Sequence, residues 1–118
     1  KTVLLFLPEN EYHEIGLLFM FYLLKKRGVQ VIYLGANVPL SDVGFVAKLK
    51  KPDYLYSHIT RPGSYFNFDK FLSNISKNMP EVPCIISGLL TQSYEKKIQE
   101  PVMLKRSYTE VMDFISNL

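Results

Sequence analysis

Residues able to do chemistry gather in three short stretches: 9–16, 57–60 and 87–91. The first reads Glu9-Asn10-Glu11-Tyr12-His13-Glu14-Ile15-Gly16, which puts three acids and a histidine into one loop. Glu11 lies two residues from His13 and could accept from one ring nitrogen while the other faces outward. Such a pairing sets a histidine's tautomer and raises its basicity as a metal ligand. The same acids also suit a plain helix start, where negative charge complements the macrodipole. The second stretch is Ser57-His58-Ile59-Thr60 and the third is Ser87-Gly88-Leu89-Leu90-Thr91. Hydroxyls and glycine are ordinary turn residues, and a histidine such as His58 is more often a surface or hydrogen-bonded group than a ligand.

The elements that must position these residues follow from the apolar patterning. Residues 2–8 (TVLLFLP) form a continuous apolar run, as in a strand buried on both faces. Residues 14–27 read as a helix, with Lys25, Lys26 and Arg27 in its last turn and Gly28 just beyond. Residues 29–34 form a second strand. A helix over residues 39–51 follows, with Ser41 as its N-cap and Pro52 as its stop. Residues 53–59 make a third strand. The next helix carries Phe68, Phe71, Leu72 and Ile75 on one face. A fourth strand spans residues 82–86, a weaker helix residues 91–99, and a short fifth strand residues 102–104. Ser107 and Glu110 then form a capping box ahead of Val111, Phe114, Ile115 and Leu118. Five strands alternating with five helices predict a parallel sheet covered on both faces. At this size the expected fold class is α/β, flavodoxin-like, with strand order 2-1-3-4-5. Ligands in such sheets bind at the carboxyl ends of the strands, near the switch point between the first and third. All three stretches fall at those ends.

Composition removes several alternatives. The chain has 118 residues, 47% of them hydrophobic, with eight Phe and eight Tyr, which excludes disorder and suits one domain. Cys84 is the single cysteine. It rules out an internal disulfide and multi-thiolate metal centres, and a reducing, cytoplasmic setting is expected. The longest apolar run, residues 15–24, is about half of the roughly 20 residues that a spanning helix needs. Lys1 in place of Met, with a strand beginning almost at once, is expected of a piece of a longer protein. The net charge is +3. Its clusters fall mostly at helix C-termini, where cations are favoured, so they read as a solvated face.

Familiar α/β chemistries fit poorly. A flavin or nucleotide site needs a Gly- or hydroxyl-rich cradle after the first strand, and this loop is acidic. A phosphoacceptor receiver needs an aspartate where Ser57 stands. No GxSxG elbow and no Cys–His pair occurs at the strand ends.

The motifs resemble those of another class. Glu11-x-His13-x-x-Gly16 is similar to the D-x-H-x-x-G signature of cobalamin-binding domains, with Glu for Asp. Ser57-x-Ile59 resembles that family's S-x-L, and Ser87-Gly88 its G-G, in the right order and at the right strands. Residues 14–17, with the Leu-Gly-x-x-Val-Pro turn at residues 34–39, most resemble the version at the C-terminus of MerR-type transcriptional regulators.

The resemblance implies cobalamin (adenosylcobalamin or methylcobalamin) bound with its lower base off the cobalt and His13 as lower axial ligand. Glu11 would polarise the ring, and Gly16 would allow close approach of the corrin or its tail. Ser57, Ile59, Gly88 and Thr91 would line a channel for the nucleotide tail. Ser87, where the family keeps glycine, would narrow that channel or donate to the tail. Ile59 for Leu is a mild change. The helix after His13 is apolar nearly all round, which suits either full enclosure or a contact face, and the resemblance favours contact within a homo-oligomer. The implied function is a non-enzymatic sensor domain, with DNA bound through a region outside these residues and no membrane contact. The alternatives are a corrinoid carrier for a methyltransferase and a degenerate domain without cofactor.

Overall fold

The computed structural model describes all 118 residues. Five parallel strands lie in the order β2-β1-β3-β4-β5, as expected: β1 (Thr2–Pro8), β2 (Gln30–Val38), β3 (Tyr54–His58), β4 (Cys84–Ser87) and β5 (Val102–Lys105). Four α-helices cover them: α1 (Ile15–Lys26), α2 (Leu40–Lys50), α3 (Phe68–Asn78) and α4 (Tyr108–Ser116). Side chains alternate along each strand and so feed two cores. Val3, Leu5 and Leu7 pack with Leu17 and Met20 of α1 and Val111 and Ile115 of α4. Leu4 and Phe6 pack on the other face with Val43 of α2 and Phe71 and Ile75 of α3.

Three expectations change. The helix predicted over residues 91–99 is only a 3-10 turn at Leu89–Ser93. Within residues 94–99 only Tyr94 and Ile98 reach the core, too little for an apolar stripe. The Arg106 guanidinium also takes the carbonyls of Thr91 and Tyr94, which a helix would need for its own ladder. Ser41 lies inside α2, whose N-cap is Pro39 with no side-chain cap. β2 runs on to Val38 rather than ending near Leu34, because two register shifts against β1 bulge it while keeping it paired.

α1 is not enclosed. Its inner residues Leu17, Met20 and Leu24 are buried, but Ile15, Leu18, Phe19 and Tyr22 are exposed, Ile15 to 85%.

The junction of β3 and β4 is fixed by backbone contacts. Ile59 N–H donates to the Ser87 carbonyl at 2.8 Å, and Leu90 N–H to the Ile59 carbonyl at 3.2 Å. Gly88 sits on that carbonyl with φ +107°, and a Cβ there would lie 2.2 Å from Ile59 O. No neighbouring side chain can yield to relieve that clash. Gly28 also has positive φ, +79°, but faces open space. Gly88→Ala should therefore cost about 3 kcal/mol or more and Gly28→Ala about 1 kcal/mol, both read by urea unfolding.

Candidate functional site

The loop between β1 and α1 is organised by one buried carboxylate. Glu11 is fully buried. Its Oε1 accepts from the His13 backbone N–H at 2.9 Å and lies 2.8 Å from His13 Nδ1, while its Oε2 accepts from Thr60 N–H at 2.9 Å. Burial alone would raise the Glu11 pKa, but the donors from His13 and Thr60 outweigh it and hold the carboxyl below its ordinary value. An ionised carboxylate only accepts, so in the neutral ring Nδ1 carries the proton and Nε2 keeps its lone pair. The His13 side chain is 58% exposed. The loop thus presents an imidazole with one nitrogen held and the other free.

Neighbouring segments hold the loop in place. Asn37, in the bulged end of β2 with φ +57°, accepts from Asn10 N–H through Oδ1 at 3.0 Å and donates its own N–H to the Glu11 carbonyl at 3.3 Å. Tyr33 OH donates to Glu14 at 2.5 Å. Asn37, in the 34–39 segment, thus clasps the histidine loop.

Beside the loop, a groove of about 290 Å³ runs between α1 and α4 across the carboxyl ends of the inner strands. Gly16, His58, Ser87, Gly88 and Lys105 line it. Ser87 Oγ sits 2.7 Å from Tyr56 OH and 2.7 Å from His58 Nδ1, making a three-member relay that runs from the buried Tyr56 to the half-buried His58. Burial raises the Tyr56 phenol well above its usual range, against the opposing pull of Ser87, so Tyr56 stays a neutral hydroxyl.

The predicted residues divide into those that meet at this place and those that do not. Glu11 and His13 form the loop pair, and Gly16, Ser87 and Gly88 line the groove. Ile59 is packed in the α2–α3 core. Thr91 is buried, and its hydroxyl donates to the Gly88 carbonyl at 2.8 Å. Ser57 pairs in register with Ile86, a residue of the α2–α3 core. Its Oγ is the one buried side-chain polar atom without a hydrogen-bond partner. The space beside Gly16 is filled by the His58 ring. The relay through Tyr56 and His58 and the role of Asn37 were not foreseen. Tyr56 and His58 sit two apart on one strand, which puts them on one face, but pairing with Ser87 depends on strand register. Cys84 is wholly buried, its thiol pushed up to about 12, and plays no part here.

Comparison with known proteins fits this geometry. No family model matches the chain. It is 31% identical over 94 residues to the HTH-type transcriptional repressor CarH of Myxococcus xanthus, covering 79% of this chain and 31% of that protein. It is 27% identical over 95 residues to the repressor CarA of the same organism, covering 80% of this chain and 33% of that protein. The chain thus spans about a third of the length of these relatives. Among solved structures, the methanol:cobalamin methyltransferase complex MtaBC of Methanosarcina barkeri superposes with a TM-score of 0.72 at 19% identity, over 99% of this chain and 47% of that one. The likeness is one of fold, a Rossmann-like parallel sheet of order 2-1-3-4-5. Within that class, the resemblance to the cobalamin-binding domains of MerR-type regulators holds, with CarH and CarA as its relatives.

Replacing Glu11 by Ala strands the Thr60 and His13 amides without an acceptor and should cost about 3 kcal/mol in urea unfolding. His58 gives a second expectation. Burial holds its imidazole below the ordinary 6.5, against the opposing pull of the Glu11 charge. The folded chain then binds fewer protons there than the unfolded one, so this contribution is complete above that value and is lost as pH falls below it. Melting temperature should drop between about pH 7.5 and about pH 5.5, and His58→Gln should flatten that slope.

Proposed function

We propose that the chain is a cobalamin-binding sensor domain of a MerR-type transcriptional regulator, holding the cofactor base-off with His13 as lower axial ligand. One observation carries this reading: an exposed imidazole whose Nδ1 is held on the buried Glu11 carboxylate, leaving Nε2 outward. Neutral imidazole nitrogen is a good donor to a transition metal, and a carboxylate behind the ring raises its basicity. The groove beside Gly16, with the Ser87 hydroxyl in its wall, also fits a cofactor with a polar tail.

When bound, the cofactor would supply a cobalt–carbon bond that light or a nucleophile can break. The chain's own residues do the holding. Glu11 fixes the tautomer and direction of His13. Gly88 and Ile59 lock the strand ends beneath the groove. Gly16, Ser87 and Gly88 form the wall along which a tail would lie, with Ser57, Ile59 and Thr91 behind it. The reading is non-catalytic. DNA contact falls to a region outside these residues, in the cytoplasm, and ligand state would act through homo-oligomer assembly, with the exposed face of α1 as the contact. No helix here is long and apolar enough to cross a membrane.

The likeness to the methyltransferase complex favours a second reading, a corrinoid carrier module. A winged helix-turn-helix encoded upstream supports the regulator, and a catalytic barrel supports the carrier. For the cofactor itself, the chain mixed with hydroxocobalamin in the dark should keep its colour through gel filtration and show a base-off, histidine-ligated spectrum. His13→Ala should lose that spectrum and weaken retention by about tenfold or more. An unchanged spectrum in the variant would remove His13 as the ligand.

A further inference from the structure

The ring of His58 stands in the space that Gly16 opens. A Cβ on Gly16 would lie 2.2 Å from His58 Cδ2 and 2.6 Å from its Nε2. The opposite edge of the ring is tied down, with Nδ1 2.7 Å from Ser87 Oγ, which in turn lies 2.7 Å from Tyr56 OH. Tyr56 is fully buried beneath them. A glycine that clears room and a histidine that fills it therefore meet in the wall of the groove between α1 and α4.

We propose that His58 is a plug that sets the domain's preference among corrinoids: its ring must leave Gly16 before a nucleotide tail can lie along α1. This rests on the cobalamin reading above. Swinging the ring out breaks the bond to Ser87, yet Ser87 keeps its partner in Tyr56, so no buried hydroxyl is orphaned. The structure holds the closed arrangement, so the open one is a minor state of at most about a tenth of the molecules. A ligand that needs it loses apparent affinity by that fraction, about tenfold or more. A corrinoid without a tail needs only His13 and the open rim, so it is indifferent to the ring.

The test is a pair of spectroscopic titrations, with hydroxocobalamin and with diaquocobinamide, which lacks the nucleotide tail. His58→Ala should tighten hydroxocobalamin about tenfold or more and leave cobinamide unchanged. His58→Ser, which also removes the ring and leaves Ser87 and Tyr56 paired, should move hydroxocobalamin the same way, and it decides alone should His58→Ala not fold. Weaker binding of hydroxocobalamin in these variants would make His58 a partner of the tail and overturn the plug, as would no change for either ligand. Cobinamide bound with a histidine-ligated spectrum, alongside no effect of His58 on hydroxocobalamin, sinks this inference and spares the cofactor reading. If neither corrinoid gives that spectrum, both fall.

Discussion

A single carboxylate, taken entirely out of water, ties its own loop to the segment that follows β3. Glu11 accepts from the His13 amide, from the His13 ring and from Thr60. A buried charge is tolerable only when its lone pairs are filled, so these bonds are the condition on which the loop's shape depends. The direction of the histidine is then a by-product of satisfying the acid. That ordering explains why a half-exposed side chain can be well aimed: its ring is held by a group that cannot itself move.

The groove beside the loop obeys the opposite logic. The Glu11 cluster is fully paired, and here a space-clearing glycine is answered by a side chain that takes the space. Gly88, against the Ile59 carbonyl, fixes the backbone at the strand ends, so what varies at this place is side chains alone. The relay of Tyr56, Ser87 and His58 links the groove floor to the core beneath, and Ser57, one residue away on the opposite face, has no partner at all. The two histidines differ accordingly: His13 is held by charge and faces out, whereas His58 is held by a hydroxyl and lies in.

Much of this was legible in the residues. Continuous apolar strands and capped helices gave the parallel sheet and its order, because burial on both faces leaves no alternation to misread. The Glu11–His13 pairing was legible because it is local, two residues apart. What escaped depends on contacts distant in sequence. The hydroxyl of Ser87 meets His58 only through the β3–β4 register. The loss of helix over residues 94–99 comes from Arg106 capturing carbonyls ahead of it. Ser41 looked like a cap because hydroxyls favour that position, but the fixed φ of Pro39, −62°, had already set the start of α2.

The bulges in β2 reach beyond the loop that they clasp. β2 is an outer strand of the sheet, and a straight outer strand offers a regular row of free amides and carbonyls to any passing chain. Two register shifts close to its end interrupt that row and twist it away from a flat template. The irregularity that delivers Asn37 to the histidine loop thereby also guards the sheet against edge-to-edge aggregation.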